Sequence, residues 1–506
     1  MGRVAIACAA LAVACFALPA GAAADRNLFV GTSGNPLRWE PKAAVDVANE
    51  LGVHVFRIVD LWKPGETELD PDDADNLGQA LTAALGLRVA VSVYSPLGKD
   101  APKTPAARTT YCTYVKNLLA RFPELNDIEI WVEPNKIQFW GPQFGPDEQA
   151  TAPAEYEALL ARCWDILHAY RPDVNIVAPG TSPHGNDDPH AISNISESPG
   201  NFIRRMGRAY RASGRRRPIL DTVGHNAYGD TSAERPWKHH RYSRSIAEGD
   251  EDKLVQALWD GFHRTAQPIP GHCIAGKCVN IWYVEIGYQT MPDPDNAAEY
   301  TGRENDRHPV RAYTGGDPSG SHPSANSPAP DQATQILDGV RLAYCQSYVD
   351  AFFIFNLELW DDANLALWQS AAFWPDRTPK PSFPYFRQAI GEVNDHSVDC
   401  SALKGGPVGS VRPSRNALIG SLRFSRAGFR IRMREDAAYV ARLVRVGSPS
   451  RLVRARRGLV HLGWPTTVAF DRDALSPGRY RIRLLLTSGE NPERRSRLLG
   501  PTFTVG

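Results

Sequence analysis

Eight short runs of apolar, often β-branched residues lie at 28-31, 54-60, 88-94, 127-133, 174-179, 219-225, 279-286 and 351-357. Between them apolar residues recur at i, i+3 and i+4, over 42-51, 72-85, 108-121, 154-170, 200-212, 251-265 and 333-348. Leu159, Leu160, Cys163, Ile166 and Leu167 mark that period well. A strand that is apolar along its whole length must be covered on both faces, and helices in the connections are what cover it. The pattern predicts an α/β chain folded as a (β/α)8 TIM barrel. An open doubly wound sheet is the alternative, but no Gly-x-Gly-x-x-Gly follows the first run, which argues against its dinucleotide-binding form.

At 506 residues the chain is longer than one hydrophobic core usually organises. Beyond about residue 405 the texture changes to short alternating runs punctuated by turns, which predicts a small all-β, Ig-like sandwich. Charge divides at the same place. From Arg412 onward there are 20 arginines, no lysine and 6 acidic residues, a net of +14, whereas residues 25-405 carry a net of −14. The expected organisation is a barrel domain over 25-404 and an arginine-rich sandwich domain over 405-506. Three accounts of the arginines stay open: electrostatic docking onto the acidic barrel, binding of an anionic glycan or cell-surface polymer, and, last, nucleic acid.

Arg3, the apolar stretch Val4 to Leu18 and the small residues Ala22-Ala23-Ala24 read as a signal peptide over 1-24, with the mature chain starting near Asp25. The stretch is shorter than the roughly 20 residues needed to span a bilayer, so the expected location is secreted, extracellular. Cys112, Cys163, Cys273, Cys278, Cys345 and Cys400 would remain, an even number suited to disulfides. Cys273 and Cys278 are spaced to close a small loop, and Cys112 and Cys163 sit on helices that adjoin in a barrel. A zinc site at Cys273 and Cys278 lacks a second pair of ligands, so neither metal nor cofactor is expected.

Barrel enzymes carry their chemistry at the C-terminal ends of strands. The fourth run ends in Trp131-Val132-Glu133-Pro134-Asn135 and the seventh in Tyr283-Val284-Glu285-Ile286-Gly287-Tyr288. Two facing carboxyls suit glycoside hydrolysis: one donates a proton to the leaving oxygen while the other attacks or stabilises the anomeric carbon. Glu358, just past the eighth run, is a rival for the second role. Trp62, Tyr94, Trp140, His184 and Trp282 fall at or near strand ends, where they would line subsites or simply pack. His239 and His240 lie in a polar loop that points them to solvent, and a serine-hydrolase elbow, Gly-x-Ser-x-Gly, is missing.

Over residues 28-395 these motifs and their spacing resemble the clan A glycoside hydrolases, families 39 and 5 in particular. The resemblance implies a retaining enzyme acting on a β-linked polysaccharide or oligosaccharide, with Glu133 as acid/base and Glu285 as nucleophile. It also implies that Arg57 holds the nucleophile ionised, that Tyr228 hydrogen-bonds it and that Trp360 floors the sugar site. The chain departs from the pattern twice. Val132 stands where the clan has an asparagine facing the sugar's 2-hydroxyl, which leaves Asn135 as a compensating donor, and Asn226 stands where a histidine is expected, unless His225 replaces it. The second functional reading is a secreted carbohydrate-binding protein that kept the barrel and lost efficient catalysis.

Overall fold

The computed structural model describes residues 27–316, 330–356, 360–403, 409–414, 418–447, 449–490 and 494–506. The expected signal peptide, Glu358 and the 404/405 boundary lie outside these residues. Among the described residues no helix is long and apolar enough to cross a membrane.

All eight apolar runs are strands: β1 (Phe29–Ser33), β2 (Val55–Leu61), β3 (Arg88–Tyr94), β4 (Asp127–Ile130), β5 (Asn175–Thr181), β6 (Thr222–Asn226), β7 (Ile281–Ile286) and β8 (Val349–Phe355). They pair in chain order and β8 closes in parallel on β1, giving a closed barrel. β4 stops three residues before its predicted end. Trp131 (φ 69) and Glu133 (φ 40) adopt left-handed backbone, which no strand continues through.

The predicted helices are present. Helix Pro105–Arg121 begins where the Thr104 side chain accepts from the Ala107 N–H and Pro105 takes the first turn, and helix Pro71–Ala83 begins likewise at Asp70. In helix Ala152–Tyr170 the apolar stripe of Leu159, Leu160, Cys163 and Leu167 is fully buried against the barrel wall. Helix Phe383–Asn394, after a long loop, completes the ring.

The barrel interior changes character along its axis. Val55, Ala90, Val177, Trp282, Val284, Ala351 and Phe353 fill the lower part. Two residues further along β1, β2 and β3, the inward positions are Ser33, Arg57 and Ser92, with Glu129 on β4, all buried. Period-2 alternation thus turns an apolar layer into a polar one just below the strand ends.

Three disulfides join Cys112 to Cys163, Cys273 to Cys278 and Cys345 to Cys400. The first links helices Pro105–Arg121 and Ala152–Tyr170, neighbours on the outside of the barrel.

The C-terminal strands are β9 (Ile419–Ser425), β10 (Gly428–Met433), β11 (Ala437–Arg445), β12 (Arg451–Val460), β13 (Thr466–Ala469), β14 (Gly478–Ser488) and β15 (Arg495–Val505). They form a sheet β13-β10-β9 and a sheet β12-β11-β14-β15 around a core that includes Phe429, Ile431, Leu443, Ile482 and Leu484. This is a β-sandwich beside a TIM barrel.

The sandwich does dock electrostatically, but with the opposite sign to that expected from net charge. Its acids meet arginines of the barrel. Glu490 takes a two-pronged pair from Arg205 (2.8 and 2.9 Å), Asp436 pairs with Arg244 (2.8 Å) and Glu435 with Arg204 (3.4 Å). Arg494 is the one sandwich arginine among these pairs, buried between Asp260 of the barrel (2.5 Å) and its own Glu435 (2.9 Å).

Candidate active site

The C-terminal ends of the barrel strands open into a cleft of about 1600 Å³. Glu133, Glu285, Tyr94, Val132, Phe139, His184, Tyr228, Phe355 and Trp368 line it. Asn305, Asp306, Arg307 and His308, from the loop after β7, also line it.

Asn226 joins the two glutamates. Its Nδ2 donates to Glu133 Oε1 at 3.0 Å and to Glu285 Oε2 at 3.1 Å. Glu285 is held on its other oxygen by Arg57 Nη1 (3.0 Å), and the Tyr228 hydroxyl makes a long contact to Oε2 at 3.5 Å. Arg57 is shared: it also donates to Ser33 Oγ (2.6 Å) and, through Nε, to Glu129 Oε2 (2.7 Å). Glu129, deep in β4, is a site residue that the sequence reading passed over. Its signal was visible as an acid embedded in an inward-facing apolar strand. Only glycine fits at 180, where φ is +56° and a Cβ would sit 2.3 Å from Glu129 Oε1.

Arg57 does not hold Glu285 in the low range expected of a nucleophile beside a cation. Burial, which dominates, pushes the Glu285 carboxyl up to about 7; Arg57 opposes the shift, while Glu133 and Glu129 add to it. One guanidinium divided between two carboxylates cannot offset the desolvation of both. The left-handed backbone at Trp131 and Glu133 is strain at the point where Glu133 is aimed into the cleft, a common feature of sites whose geometry the surrounding fold dictates.

Three expected substrate contacts lie elsewhere. His225 neighbours Asn226 on β6, so the two face opposite sides of the barrel wall. His225 points outward, fully buried between Thr181 Oγ1 (2.9 Å) and the Ile246 carbonyl (2.8 Å), and burial lowers its pKa to about 4. Asn135 is also fully buried, its amide nitrogen on the carbonyls of Ser182 and Glu197 and its oxygen on the Ser182 N–H, so it ties loops together and faces no cleft. Trp360 packs against the barrel core with the Arg377 guanidinium 3.9 Å above its ring. The tryptophan in the cleft is Trp368, which stacks edge-on against Tyr228 and Phe355. A loop return of that kind leaves no periodicity to read.

Of the other strand-end candidates, Tyr94 and His184 line the cleft, Trp62 and Trp140 are packed inside, and Trp282 lies in the barrel's lower plug. His240 is buried, not solvent-facing, between Asp250 (2.7 Å) and Glu234 (2.9 Å). Among the described residues, Asp230, Glu234 and His240 form the one group whose ligand atoms lie close enough, within 4.8 Å of one another, to hold a metal. Their charges are already matched by the imidazole and by Lys238, which pairs with Glu234.

No family model matches the chain, and no curated protein matches it. Among solved structures it is similar to a glucosidase from Croceicoccus marinus, at 12% identity and a TM-score of 0.44, covering 88% of this chain and 93% of that one. It is also similar to the virulence factor SghA from Agrobacterium tumefaciens (13%, TM-score 0.43, 72% and 97% covered). A third is a monomeric beta-xylosidase from Caulobacter crescentus CB15 (14%, TM-score 0.40, 88% and 95% covered). Likenesses this remote say nothing of the reaction, for which the cleft's own geometry is the guide.

Proposed function

We propose that the chain is a secreted, retaining glycoside hydrolase acting on a β-linked polysaccharide or oligosaccharide, with Glu133 as acid/base and Glu285 as nucleophile. The observation that carries this reading is the shared amide of Asn226. The two carboxylate oxygens it bonds can be no further apart than its 3.0 and 3.1 Å bonds laid end to end. That limit holds for the two facing oxygens, and so close an approach suits the roughly 5–5.5 Å separation of a retaining pair better than the roughly 6.5–9.5 Å gap of an inverting one, which must admit a water. In this mechanism Glu285 attacks the anomeric carbon as Glu133 protonates the leaving oxygen. Glu133 then takes a proton from the water that releases the glycosyl-enzyme. Bonding of Glu133 Oε1 to Asn226 leaves Oε2 to carry the transferred proton.

Glu285→Ala should abolish turnover of aryl β-glycosides, and added azide should restore it with an α-glycosyl azide as product. Unchanged hydrolysis in Glu285→Ala removes this residue from the mechanism. The second reading, a carbohydrate-binding protein with little catalysis, draws on Val132, which lines the cleft where the resembled family offers an amide. Glycan binding by the unmodified protein without hydrolysis of any glycoside in a broad panel favours that reading.

A further inference from the structure

The sheet β12-β11-β14-β15 contains eleven arginines and no acidic residue. Its inner positions, Ala441, Leu443, Ile482 and Leu484 among them, pack in the sandwich core. The cross-strand registers place two neighbouring rows on the opposite, outward face. One runs Arg457, Val440, Leu485, Arg497 and the next Ala455, Arg442, Arg483, Leu499. Arg442, Arg457, Arg483 and Arg497 are exposed, and none makes an ion pair among the described residues. Arg442 sits directly opposite Arg483, a like-charge pairing that destabilises a sheet. Docking does not explain these arginines, because the sandwich docks through Glu435, Asp436, Glu490 and Arg494.

We propose that this face binds an anionic polysaccharide, its guanidinium rows engaging regularly spaced carboxylates or sulfates. Several features favour that occupant. Every cation of the sheet is arginine, whose planar fork suits two-pronged pairing with carboxylate or sulfate, where lysine would serve for diffuse attraction. Leu459 and Leu499, 66% and 63% exposed on the same face, offer apolar surface to the C–H faces of sugar rings. The two tyrosines of the sheet's paired strands, Tyr439 and Tyr480, pack with the core, so the rows hold no aromatic for stacking bases. A four-stranded sheet face also presents neither a helix nor a two-stranded ribbon to the major groove of duplex DNA.

The test uses the full chain and reads binding without turnover, so it stands or falls apart from the proposed hydrolase activity. Binding to sodium polygalacturonate and to dextran sulfate is measured against neutral dextran at rising NaCl, beside the triple variant Arg442→Glu/Arg483→Glu/Arg497→Glu. The unmodified protein should bind both polyanions and not dextran, with affinity falling as salt rises. The triple variant, which keeps a like-charge pair across β11 and β14, should lose at least tenfold with its melting temperature unchanged. The corresponding triple glutamine variant, a milder change should the first not fold, should lose affinity to a smaller extent. Arg423→Glu/Arg426→Glu, which lowers net charge on β9 and its turn into β10, in the other sheet's hairpin, should bind nearly as well as the unmodified protein. Equal binding by the triple variants, failure of the unmodified protein to bind either polyanion, or tighter binding to phosphatidylglycerol vesicles or duplex DNA at the same salt overturns the proposal.

Discussion

Asn226 has two amide hydrogens and gives them to two different carboxylates, Glu133 and Glu285. Losing that bridge frees both to rotate, and small displacements of reacting groups are costly. Asn226→Ala should therefore lower kcat/KM about a hundredfold, with KM changing less than kcat, read on an aryl glycoside. The pH profile follows from Glu285, raised to about 7 by burial. A nucleophile must be ionised, so kcat/KM should rise through about pH 7 and fall below it. Arg57→Gln, which removes the opposing cation, should move that limb upward; an acid limb near 4.5, unmoved by Arg57→Gln, contradicts this account. At this scale the sequence told what kinds of group meet in the cleft better than which neighbour faces it. Glu133 and Glu285 were legible because each closes an apolar run of the sequence. His225 and Asn226 were both candidates, yet adjacent strand residues face opposite ways, and one residue of register decides between them.

Among elements, the eight strands and most helices were legible because burial on both sides of a parallel strand imposes a long apolar run. The end of β4 was not, since the left-handed turns at Trp131 and Glu133 depend on contacts from β5, such as the Glu133 N–H bond to the Gly180 carbonyl (3.0 Å). The segment between β6 and helix Glu251–Phe262 was misread for a related reason. His240 looks like a polar loop residue until the fold brings Asp250 and Glu234 around it. Burial works against its charge, but hydrogen bonds to the two carboxylates outweigh burial and raise its pKa to about 9. A histidine raised in the folded state stabilises fully below its unfolded pKa of roughly 6.5 and ceases to do so as pH climbs through about 9. The difference in melting temperature between the unmodified protein and His240→Gln should accordingly be largest near pH 6 and shrink by pH 10.

For the whole molecule, the change in charge near residue 405 pointed to two units but misjudged how they meet. A net charge sums every side chain, whereas an interface selects a few. Asp260, at 0% side-chain exposure, accepts from Arg204 of the barrel (3.0 Å) and, across the junction, from Arg494 (2.5 Å). Asp260→Asn leaves two buried cations with one fewer anion, and should cost about 3–5 kcal/mol of stability, measured by urea unfolding. The same junction bears on how a surface-bound enzyme would work. A catalyst on a slack tether sweeps the substrate around its anchor; one clamped to its anchoring module by buried ion pairs has no such play. Bound by the sandwich, this protein would exhaust the glycan within its own radius and then wait to be released. Moderate salt, by hastening release, should speed its attack on an insoluble acidic glycan while leaving hydrolysis of a small soluble glycoside unaltered.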